Sequence, residues 1–409
     1  MEEHQEQKPE VVVMLVNLDK KEKKIQKLLE NLSGPEEIFS IKTINFLNEI
    51  SKNILKNKKS LKFPDLITFA FWCRKSNLNK ISKNYDKKSL ILGRGIILHI
   101  APSNVPMNFC YSLAFGLLSG NSNVVRLPSR KFIQIKIFNE IIKKILRIKK
   151  YQNFKKKILL VYYSKSNIIS SELSKYVDAR IIWGGDETVM QFKKFETLPR
   201  CIDVNFPNRY SISILKIAAI KKLKSFELSQ LSLRFFNDSY LMDQQGCSSP
   251  QAIIWIGNCK KTKEKFWERL NNIVESKYNH DLSIANKKIA SISEVAITTS
   301  LSFKSNLDKF KIARLKLKKP SYQIQNIQCN FGTFVEINLN NINQLKKAIT
   351  NKYQTITYFG IDSEEIKTFI SKNKIKGIDR IVPFGRAFDM NTIWDGYDII
   401  YTISRKIDT

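Results

Sequence analysis

The chain has 409 residues, of which 43% are hydrophobic, so it is long enough to bury the cores of two domains. Its 69 lysines and arginines against 37 aspartates and glutamates give a net charge of +32. The polar start "MEEHQEQKPE" is unlike a secretory signal, and no apolar run reaches about 18 residues. Six scattered cysteines and three distant histidines show no metal-ligand spacing. We therefore expect a cytoplasmic protein without a membrane span or a metal site.

The positive charge allows two interpretations. Lysines are spread along the whole chain, as in "KKEKKIQKLLE" and "KKILRIKKYQNFKKK". Apart from Tyr151 and Phe154 in the second stretch, these runs lack the interleaved aromatic residues that a base-stacking platform needs. We expect most of them on a solvated surface and no specific nucleic-acid site, while a polyanion-binding protein stays open as an alternative. A basic field also favours acidic ligands such as phosphorylated cofactors, coenzyme A or an acidic carrier protein.

The first 90 residues predict a strand at "VVVMLV" (11–16), followed by several helices. The apolar run "GIILHI" (95–100) predicts a buried strand, and Pro106 is suited to be the first residue of a helix that Gly120 ends. "NVVRL" (123–127) predicts the next strand. A strand, a helix and a strand in this order predict a parallel pair with a right-handed crossover.

The alternation continues beyond this unit. The other predicted strands lie at 157–163, 179–183, 201–206, 209–215, 251–257, 332–339 and 354–360. The predicted helices lie at 166–177, 184–195, 263–278 and 363–373, and 214–240 is mainly helical. Alternating strands and helices on both sides of Cys247 predict an α/β fold with two doubly wound domains.

Cys247 lies in the polar segment "DQQGCSSPQ", directly before a predicted strand. In a two-domain enzyme, a thiol on such a turn can project into the cleft between the domains. The two serines and the nearby backbone N–H groups could stabilise a thiolate or a developing oxyanion. The alternative is a surface-loop cysteine without a role.

Three more segments follow predicted strands. Asn104, in "APSNVP", is placed either to donate to an oxyanion or to cap a helix. Arg126, Ser129 and Arg130, in "GNSNVVRLPSR", can hold a nucleotide phosphate. "WGGDETV" is either a glycine turn suited to a pyrophosphate or an ordinary strand-to-helix turn.

In this order, the segments resemble the aldehyde dehydrogenase superfamily. The carrying segments are "GRGIILHIAPSNVP", "LLSGNSNVVRLPS", "WGGDETV", "DQQGCSSPQ" and "DRIVPFGRAFDMNTIWDGYD", which run from Gly93 to Asp398. Within the superfamily, they are most similar to the acyl-CoA reductases of the bacterial bioluminescence type, also called long-chain fatty acid reductases or acyl-protein thioester reductases. The resemblance implies an aldehyde-dehydrogenase-like α/β fold of two Rossmann-like domains, with the active site in the cleft between them.

The resemblance also implies a division of the chain. Residues 1–238, completed by 380–409, would form a cofactor-binding domain, and 239–379 a catalytic domain carrying the cysteine. Cys247 would accept the acyl group as a thioester. Asn104, with the backbone N–H of Cys247, would hold the developing alkoxide.

The cofactor implied by the resemblance is NADPH. Arg126 and Ser129 match the turn at the adenosine ribose and phosphate, and an arginine there is compatible with the 2′-phosphate. The other implied cofactor residues are Gly184, Gly185 and Thr188 beside the pyrophosphate, and Glu336 in "GTFVEI" at the nicotinamide ribose.

One departure from the superfamily favours the reductive direction. Hydrolytic aldehyde dehydrogenases carry an E-x-G-G motif whose glutamate activates water, whereas the corresponding region here reads "CIDVNFPNRYSI", with Asp203 as a poor substitute. A thioester reductase needs no such base, since hydride transfer to an acyl-cysteine releases the aldehyde.

We therefore expect NADPH-dependent reduction of a fatty acyl thioester, with acyl-CoA or an acylated carrier or synthetase protein as the partner, in a possible homo-oligomer. The alternatives are a CoA-acylating aldehyde dehydrogenase for short acyl groups and a non-catalytic, basic polyanion-binding protein.

Overall fold

The computed structural model describes residues 15–18, 25–86, 88–164, 167–279, 282–298, 303–309 and 311–408. The chain divides into two compact units, Met1–Pro207 with Met390–Thr409, and Asn208–Asp389. Most of the predicted strand at 11–16 lies outside the described residues.

Up to Pro207, the described residues of the first unit form seven strands and eight helices. The strands are β1 (Leu15–Asn17), β2 (Ile91–Gly93), β3 (Ile96–Ile100), β4 (Ser122–Arg126), β5 (Ile158–Tyr162), β6 (Ala179–Trp183) and β7 (Ile202–Phe206). The helices are α1 (Ile25–Glu30), α2 (Ile41–Lys56), α3 (Pro64–Trp72), α4 (Lys75–Ser82), α5 (Asn108–Leu118), α6 (Ile133–Leu146), α7 (Asn167–Ser174) and α8 (Asp186–Phe192). Single 3-10 turns lie at Ser60–Lys62 and Lys149–Lys156.

Six of these strands form a sheet in the order β1-β5-β4-β3-β6-β7, and every neighbouring pair is parallel. The chain proceeds outward from β3 through β4 to β5, and then returns to the other side of β3 with β6 and β7. The direction of winding therefore reverses between β3 and β6. In doubly wound sheets, ligands bind beyond the carboxyl ends of the strands at such a switch point.

Helix α5 fills the core beside β3. All of its residues are buried, since it packs among other helices as well as on the sheet. The predicted start at Pro106 is wrong, because a turn closed by the bond from Asn108 N to Val105 O (3.4 Å) contains Pro106, and the helix begins after it. Gly120 follows the helix end as predicted, with φ of +80° and no room for a Cβ against the Glu36 carbonyl.

The described residues of the second unit form seven strands and five helices. The strands are β8 (Tyr210–Lys216), β9 (Pro250–Ile256), β10 (Phe303–Lys309), β11 (Ile312–Leu317), β12 (Thr333–Leu339), β13 (Tyr353–Phe359) and β14 (Arg380–Pro383). The helices are α9 (Ile217–Lys221), α10 (Ser225–Ser239), α11 (Lys260–Lys277), α12 (Leu282–Thr298) and α13 (Ser363–Lys372), with 3-10 turns at Tyr322–Asn326 and Ile342–Leu345.

These strands form one sheet in the order β10-β11-β12-β9-β8-β13-β14, parallel except for the β10–β11 pair. Successive residues of β9 face opposite cores: Ile254 joins the cluster with Ile212 and Val335, while Trp255 joins the cluster with Phe235 and Phe266. The sheet is therefore covered on both faces, as its apolar strand sequences predict.

The boundary between the units lies after Pro207, whereas the sequence placed it after residue 238. The difference arises because β8 pairs with β9 and β13, and α10 packs on α11. Residues 208–238 therefore belong with the cysteine-bearing unit.

The last segment returns to the first unit with β15 (Ile393–Trp394), β16 (Tyr397–Asp398), α14 (Ile399–Thr402) and β17 (Ser404–Lys406). It starts at Met390 instead of at residue 380, because β14 pairs with β13 in the second sheet. Asp395 and Gly396, both with positive φ, connect β15 and β16, and β17 pairs with β2. Among the described helices, none combines the length and the apolarity that a membrane crossing requires.

Candidate active site

The three segments predicted to bind cofactor or oxyanion lie at one edge of the first sheet. Asn104 follows β3, Arg126 is the last residue of β4 and Ser129 follows it, and Gly184 follows β6. Because β4, β3 and β6 are parallel neighbours, their carboxyl ends share an edge. The structure therefore brings these positions to the switch point of the first unit.

Asn104 presents an open amide. Its side chain is exposed and has no hydrogen-bond partner among the described residues. The alternative role as a helix cap is wrong, because α5 begins only at Asn108 and its N-cap position is Met107. The amide is thus available to an oxygen atom of a ligand.

Arg126 extends along β5 at the same edge. Its guanidinium lies 4.5 Å from the centroid of the Tyr163 ring, and Nη2 donates to the Ser164 carbonyl at 3.5 Å. The buried Nε has no partner among the described residues. Ser129 is exposed, and its backbone carbonyl accepts a hydrogen bond from the Tyr162 hydroxyl at 2.8 Å. An aromatic contact thus orients a cation that retains donor capacity for an anion.

The glycine turn after β6 is closely packed. A Cβ at Gly184 would lie 3.0 Å from Cβ of Thr188, so a side chain at 184 would displace Thr188. Gly185 is the N-cap of α8, and the first turn contains Asp186 and Glu187. These two carboxylates compete with a pyrophosphate for the positive helix end, so the turn has less anion-binding capacity than the sequence suggested.

Asp203 is not available as a general base for water. Both of its carboxylate oxygens accept hydrogen bonds from Arg180, at 2.7 Å each, in a bidentate pair between β6 and β7. This geometry agrees with the expectation that Asp203 does not replace the glutamate of hydrolytic enzymes.

The first four residues of "GNSNVVRLPSR", Gly120 to Asn123, make contacts inside the core of the first unit. Asn121 donates to the Ile403 carbonyl at 2.9 Å and accepts from Gly95 N at 3.0 Å, which connects the returning C-terminal segment to β3. Asn123 bonds to His99, and burial lowers the pKa of His99 to about 4. This histidine is therefore neutral at pH 7 and structural.

Cys247 lies in the second unit, at the edge of the sheet formed by the amino ends of the parallel strands. Its loop directly precedes β9, and the side chains that hold it come from the first residues of β8 and β13. The side chain of Cys247 is exposed. Ser211 Oγ donates to the Cys247 carbonyl at 2.6 Å, and Gln354 Nε2 donates to Cys247 Sγ at 3.4 Å. The thiol is therefore presented to solvent from an anchored backbone.

The two serines after the cysteine were expected to stabilise a thiolate or an oxyanion, but neither bonds to the sulfur directly. Ser248 Oγ donates to Gln354 Oε1 at 3.1 Å, so it orients the amide that contacts the sulfur. The Ser249 hydroxyl is buried and has no partner among the described residues. Neither hydroxyl bonds to the sulfur, and Ser248 supports it only through Gln354.

Buried amides fix the loop before the cysteine. Asp243 and Gln244 both have positive φ. Gln244, 1% exposed, donates to the carbonyls of Pro250 (2.8 Å) and Thr333 (2.9 Å) and accepts from the N–H groups of Gly332 and Thr333. These four bonds stabilise a left-handed backbone that a non-glycine residue rarely adopts.

A second loop, 384–389, packs beside Gly246. A Cβ at Gly246 would lie 2.6 Å from the Phe388 ring, so a side chain before the cysteine would displace that ring. Asp238, on α10 and 1% exposed, accepts from the N–H groups of Gly385 (2.7 Å) and Ala387 (2.9 Å). Burial raises the pKa of Asp238 to about 7, and these two N–H groups lower it by less. Loop 384–389 is thereby attached to a helix of the same unit.

Glu336 does not fit the predicted role at the nicotinamide ribose. It lies within β12 at 5% exposure, and its carboxylate accepts from Trp255 Nε1 (3.1 Å), Trp267 Nε1 (2.6 Å) and Arg314 Nε (3.0 Å). Arg314 is bound in turn by Glu264 at 2.8 Å. The carboxylate has its partners inside the protein, so we assign it to the core of this unit.

Sequence reasoning missed the side chains that hold the thiol and its loop: Ser211, Gln244 and Gln354. Ser211 and Gln354 are the second residues of β8 and β13, and Gln244 lies in "DQQGCSSPQ" without a role assigned to it from the sequence. The available signal was that "QTITYFG" and "RYSISIL" were predicted strands whose first residues are polar. Pairing with β9 is needed to bring those residues to Cys247. The described residues contain no group of three or more metal-ligating side chains.

The overall fold defines the class of protein. It is similar to lactaldehyde dehydrogenase from Escherichia coli, with a TM-score of 0.62 and 13% identity over 95% of this chain and 89% of that one. It is also similar to 1-pyrroline-5-carboxylate dehydrogenase from Thermus, with a TM-score of 0.63 and 10% identity over 94% and 85% of the two chains. The fold is therefore the aldehyde dehydrogenase fold, as the sequence predicted.

The sequence places the chain in a narrower group than the fold does. Residues 21–405 match the family described as acyl-CoA reductase (LuxC), and the chain belongs to that family. A long-chain acyl-protein thioester reductase from Vibrio harveyi is 22% identical over 315 residues, which are 74% of this chain and 60% of that protein. The protein of that name from Aliivibrio fischeri is 23% identical over 168 residues, 40% of this chain and 33% of that protein. These alignments thus span about a third to three fifths of the relatives' length.

Proposed function

We propose that this protein reduces a fatty acyl thioester to the aldehyde, with NADPH as the reductant and an acyl-cysteine at Cys247 as the intermediate. The observation that carries the proposal is the exposed Cys247 thiol on a loop fixed by buried amides, with an amide N–H on its sulfur. Membership of the acyl-CoA reductase family supports the same chemistry.

The proposed acyl transfer follows from the thiol. The Cys247 sulfur attacks the carbonyl carbon of the thioester, a new C–S bond forms, and the thiolate of the donor leaves. The oxyanion that develops needs hydrogen-bond donors, and we assign the Asn104 amide and the Cys247 backbone N–H to it. Asn104 suits this role because its amide is exposed and makes no bond to another described residue.

A reduced nicotinamide, when bound, would supply the hydride that reduces the acyl-cysteine carbonyl. The residues at the carboxyl edge of the first sheet fit such a cofactor, because Arg126 retains an unpaired Nε and Ser129 is exposed in the adjoining turn. We infer that Arg126 and Ser129 hold the adenosine ribose and its 2′-phosphate, and that Gly184, Gly185 and Thr188 lie beside the pyrophosphate. The first unit is then the cofactor-binding domain and the second the catalytic domain.

The reduced intermediate releases the aldehyde when its C–S bond breaks and the electron pair returns to the Cys247 sulfur. Hydrolysis of the acyl-cysteine would compete with reduction if a base activated water. Asp203, the residue at the position of that base, is held in a bidentate pair by Arg180. We therefore propose that the acyl-cysteine is reduced instead of hydrolysed.

The substrate class in this proposal is a long-chain acyl thioester carried by coenzyme A, by a carrier protein or by an acylated synthetase. The names of the two bacterial relatives support a protein-bound acyl group. The net charge of +32 favours any of these acidic donors.

The test measures NADPH oxidation with acyl-CoA substrates of increasing chain length, in wild type and in Cys247→Ala. We expect oxidation only when a thioester and Cys247 are both present, with an optimum at long chains. An optimum at short chains would favour a CoA-acylating aldehyde dehydrogenase. If neither acyl-CoA nor acyl carrier protein supports oxidation, and NADPH does not bind, the proposal is wrong and the polyanion-binding alternative gains support.

A further inference from the structure

The sulfur of Cys247 has a direct protein partner that the sequence did not suggest. Gln354 Nε2 lies 3.4 Å from Sγ, and the Gln354 side chain is 1% exposed. Its Oε1 accepts from Ser248 Oγ at 3.1 Å and from Thr355 Oγ1 at 3.2 Å. Because two hydroxyls bond to the oxygen, the amide is oriented with its N–H groups toward the sulfur.

The backbone around this contact is fixed by one serine. Ser211 Oγ donates to the Cys247 carbonyl at 2.6 Å and accepts from Thr355 N at 3.2 Å. The residue that carries the thiol and the residue next to Gln354 are therefore bonded to the same side chain. The loop that carries the sulfur and the strand that carries the amide, β13, are thus both attached to β8.

Arg380 adds positive charge at the same place. It begins β14 and is paired in register with Thr355, the residue after Gln354. Its guanidinium donates to the carbonyls of Arg386, Ala387 and Asp389, which ties loop 384–389 to the strand. Burial lowers the pKa of Arg380, and the negative charges of Asp389, Cys247 and Asp238 act in the opposite direction. By reciprocity, the guanidinium favours the thiolate form of Cys247.

We propose that Gln354 is a catalytic residue and Arg380 a positioning residue, which together hold Cys247 as a thiolate by an N–H donated to sulfur and by a nearby positive charge. The inference deepens the proposed function and rests on it for the use made of the thiolate. In acyl transfer the thiolate is the attacking species. When the aldehyde leaves, the electron pair of the broken C–S bond returns to the same sulfur, where the amide and the guanidinium stabilise it.

The elements around the thiol carry other charged groups, among them the Arg209–Asp379 ion pair directly before β8 and β14. Asp238 of α10 bonds to loop 384–389, and Asp389 and Arg386 of that loop form an exposed ion pair at 3.4 Å. On β13, the residue that reaches the sulfur is the neutral Gln354. Since Asp238 titrates near pH 7, it can contribute to the pH profile of the thiol. The test therefore compares the pH midpoint of Cys247 alkylation between variants and does not interpret its absolute value.

The experiment measures alkylation of Cys247 by iodoacetamide as a function of pH in the full-length protein, with the modified peptide quantified by mass spectrometry. In Gln354→Met, which keeps the volume and removes the donor, we expect the midpoint to rise by about one pH unit, so that the rate below the midpoint falls about tenfold. Gln354→Glu adds a negative charge and should raise the midpoint further. Arg380→Gln should also raise it, whereas Arg380→Lys, which keeps the charge, should restore most of the wild-type profile.

Gln251→Met is the matched control. Gln251 is a buried amide in β9, four residues after the cysteine, but it bonds to Gln244 and Asn330 and not to the sulfur. Its profile should match wild type. If Gln354→Met and Gln354→Glu both melt near the wild-type temperature and keep the wild-type midpoint, the proposal is overturned. Should Gln354→Met fail to fold, Gln354→Glu decides alone. Alkylation needs no acyl substrate, so a raised midpoint in an enzyme without thioester reduction would refute the proposed function and leave this inference standing.

Discussion

The two units of this protein place their candidate functional residues on opposite kinds of sheet edge. In the first unit, Asn104, Arg126 and Gly184 follow the carboxyl ends of β3, β4 and β6. In the second, Cys247, Gln354 and Arg380 lie at or before the amino ends of β9, β13 and β14. The first edge obeys the general rule for ligand sites in doubly wound sheets, and the second does not.

The two edges also differ in how their side chains are held. Asn104 is exposed and makes no bond to another described residue, and Arg126 has an unpaired Nε. Such groups retain the capacity to bind a ligand that comes and goes. The cysteine loop, in contrast, is fixed by the buried amides of Gln244 and Gln354. Covalent chemistry requires a nucleophile in a fixed place, so the difference in order matches the difference in proposed role.

The largest effect is expected from replacing the nucleophile at the second edge. Replacing Cys247 by serine should lower the rate of thioester reduction by at least about 10³-fold, because the hydroxyl does not ionise near neutral pH. NADPH binding should be unchanged. Cys259→Ser is the control, since that partly exposed thiol lies at the start of α11 and should keep wild-type activity. Equal losses in both variants would show that neither thiol has a specific role.

A second prediction concerns Glu336, which the sequence assigned to the cofactor and the structure to the core. Glu336→Gln should lower the free energy of unfolding by about 3 kcal/mol, because it leaves the buried Arg314 with one carboxylate partner fewer. Glu264→Gln, at the more exposed carboxylate of the same cluster, should cost about 1 kcal/mol. Urea unfolding measures both. Wild-type stability together with weaker NADPH binding in Glu336→Gln would restore the cofactor role.

The third prediction tests the exposed amide of the first edge. Asn104→Ala should lower kcat by about 10²-fold, the effect of removing one oxyanion donor, with little change in the melting temperature. The melting temperature should hold because the side chain contacts no described partner by a hydrogen bond. Asn79→Ala, at another exposed asparagine, provides the control. A loss of stability without a loss of kcat would assign Asn104 a structural role.

The smallest effect concerns cofactor choice. Arg126→Gln should weaken NADPH binding by about tenfold, the effect of one lost charge-assisted bond, and should weaken NADH binding less. Titration by fluorescence measures both dissociation constants. Arg147→Gln removes an exposed charge after α6, outside the proposed cofactor residues, and should change them little. An equal loss for both nucleotides in Arg126→Gln would show that the arginine does not read the 2′-phosphate.

Much of the fold was readable from periodicity. From residue 95 onward, every predicted strand forms with its ends within one residue of the predicted ones. These strands are short apolar runs bounded by loops, which is the pattern of buried parallel strands. Strand β14 was missed because "RIVP" is short and ends in a proline, and only its pairing with β13 makes it a strand. The unit boundary was misplaced because the partners of β8 are set by topology.

The site divides in the same way. Cys247 and Asn104 were found because each lies in a motif a few residues long. Gln354 and Arg380 could not be found, since Gln354 lies 107 residues from the cysteine and reaches it only through the pairing of β13 with β8. Glu336 was misassigned because a motif gives the residue type, while the direction of the side chain depends on the register of β12 with β11. Local sequence thus identifies a nucleophile better than the groups that hold it.

The most direct test of the account is whether Cys247 takes up the acyl group when no NADPH is present. The protein is incubated with a long-chain acyl-CoA, its intact mass is measured, and the modified residue is mapped by peptide mass spectrometry. The account predicts one acyl group on Cys247, removed with release of aldehyde when NADPH is added. No acyl adduct, or an adduct that persists in Cys247→Ala, would contradict it.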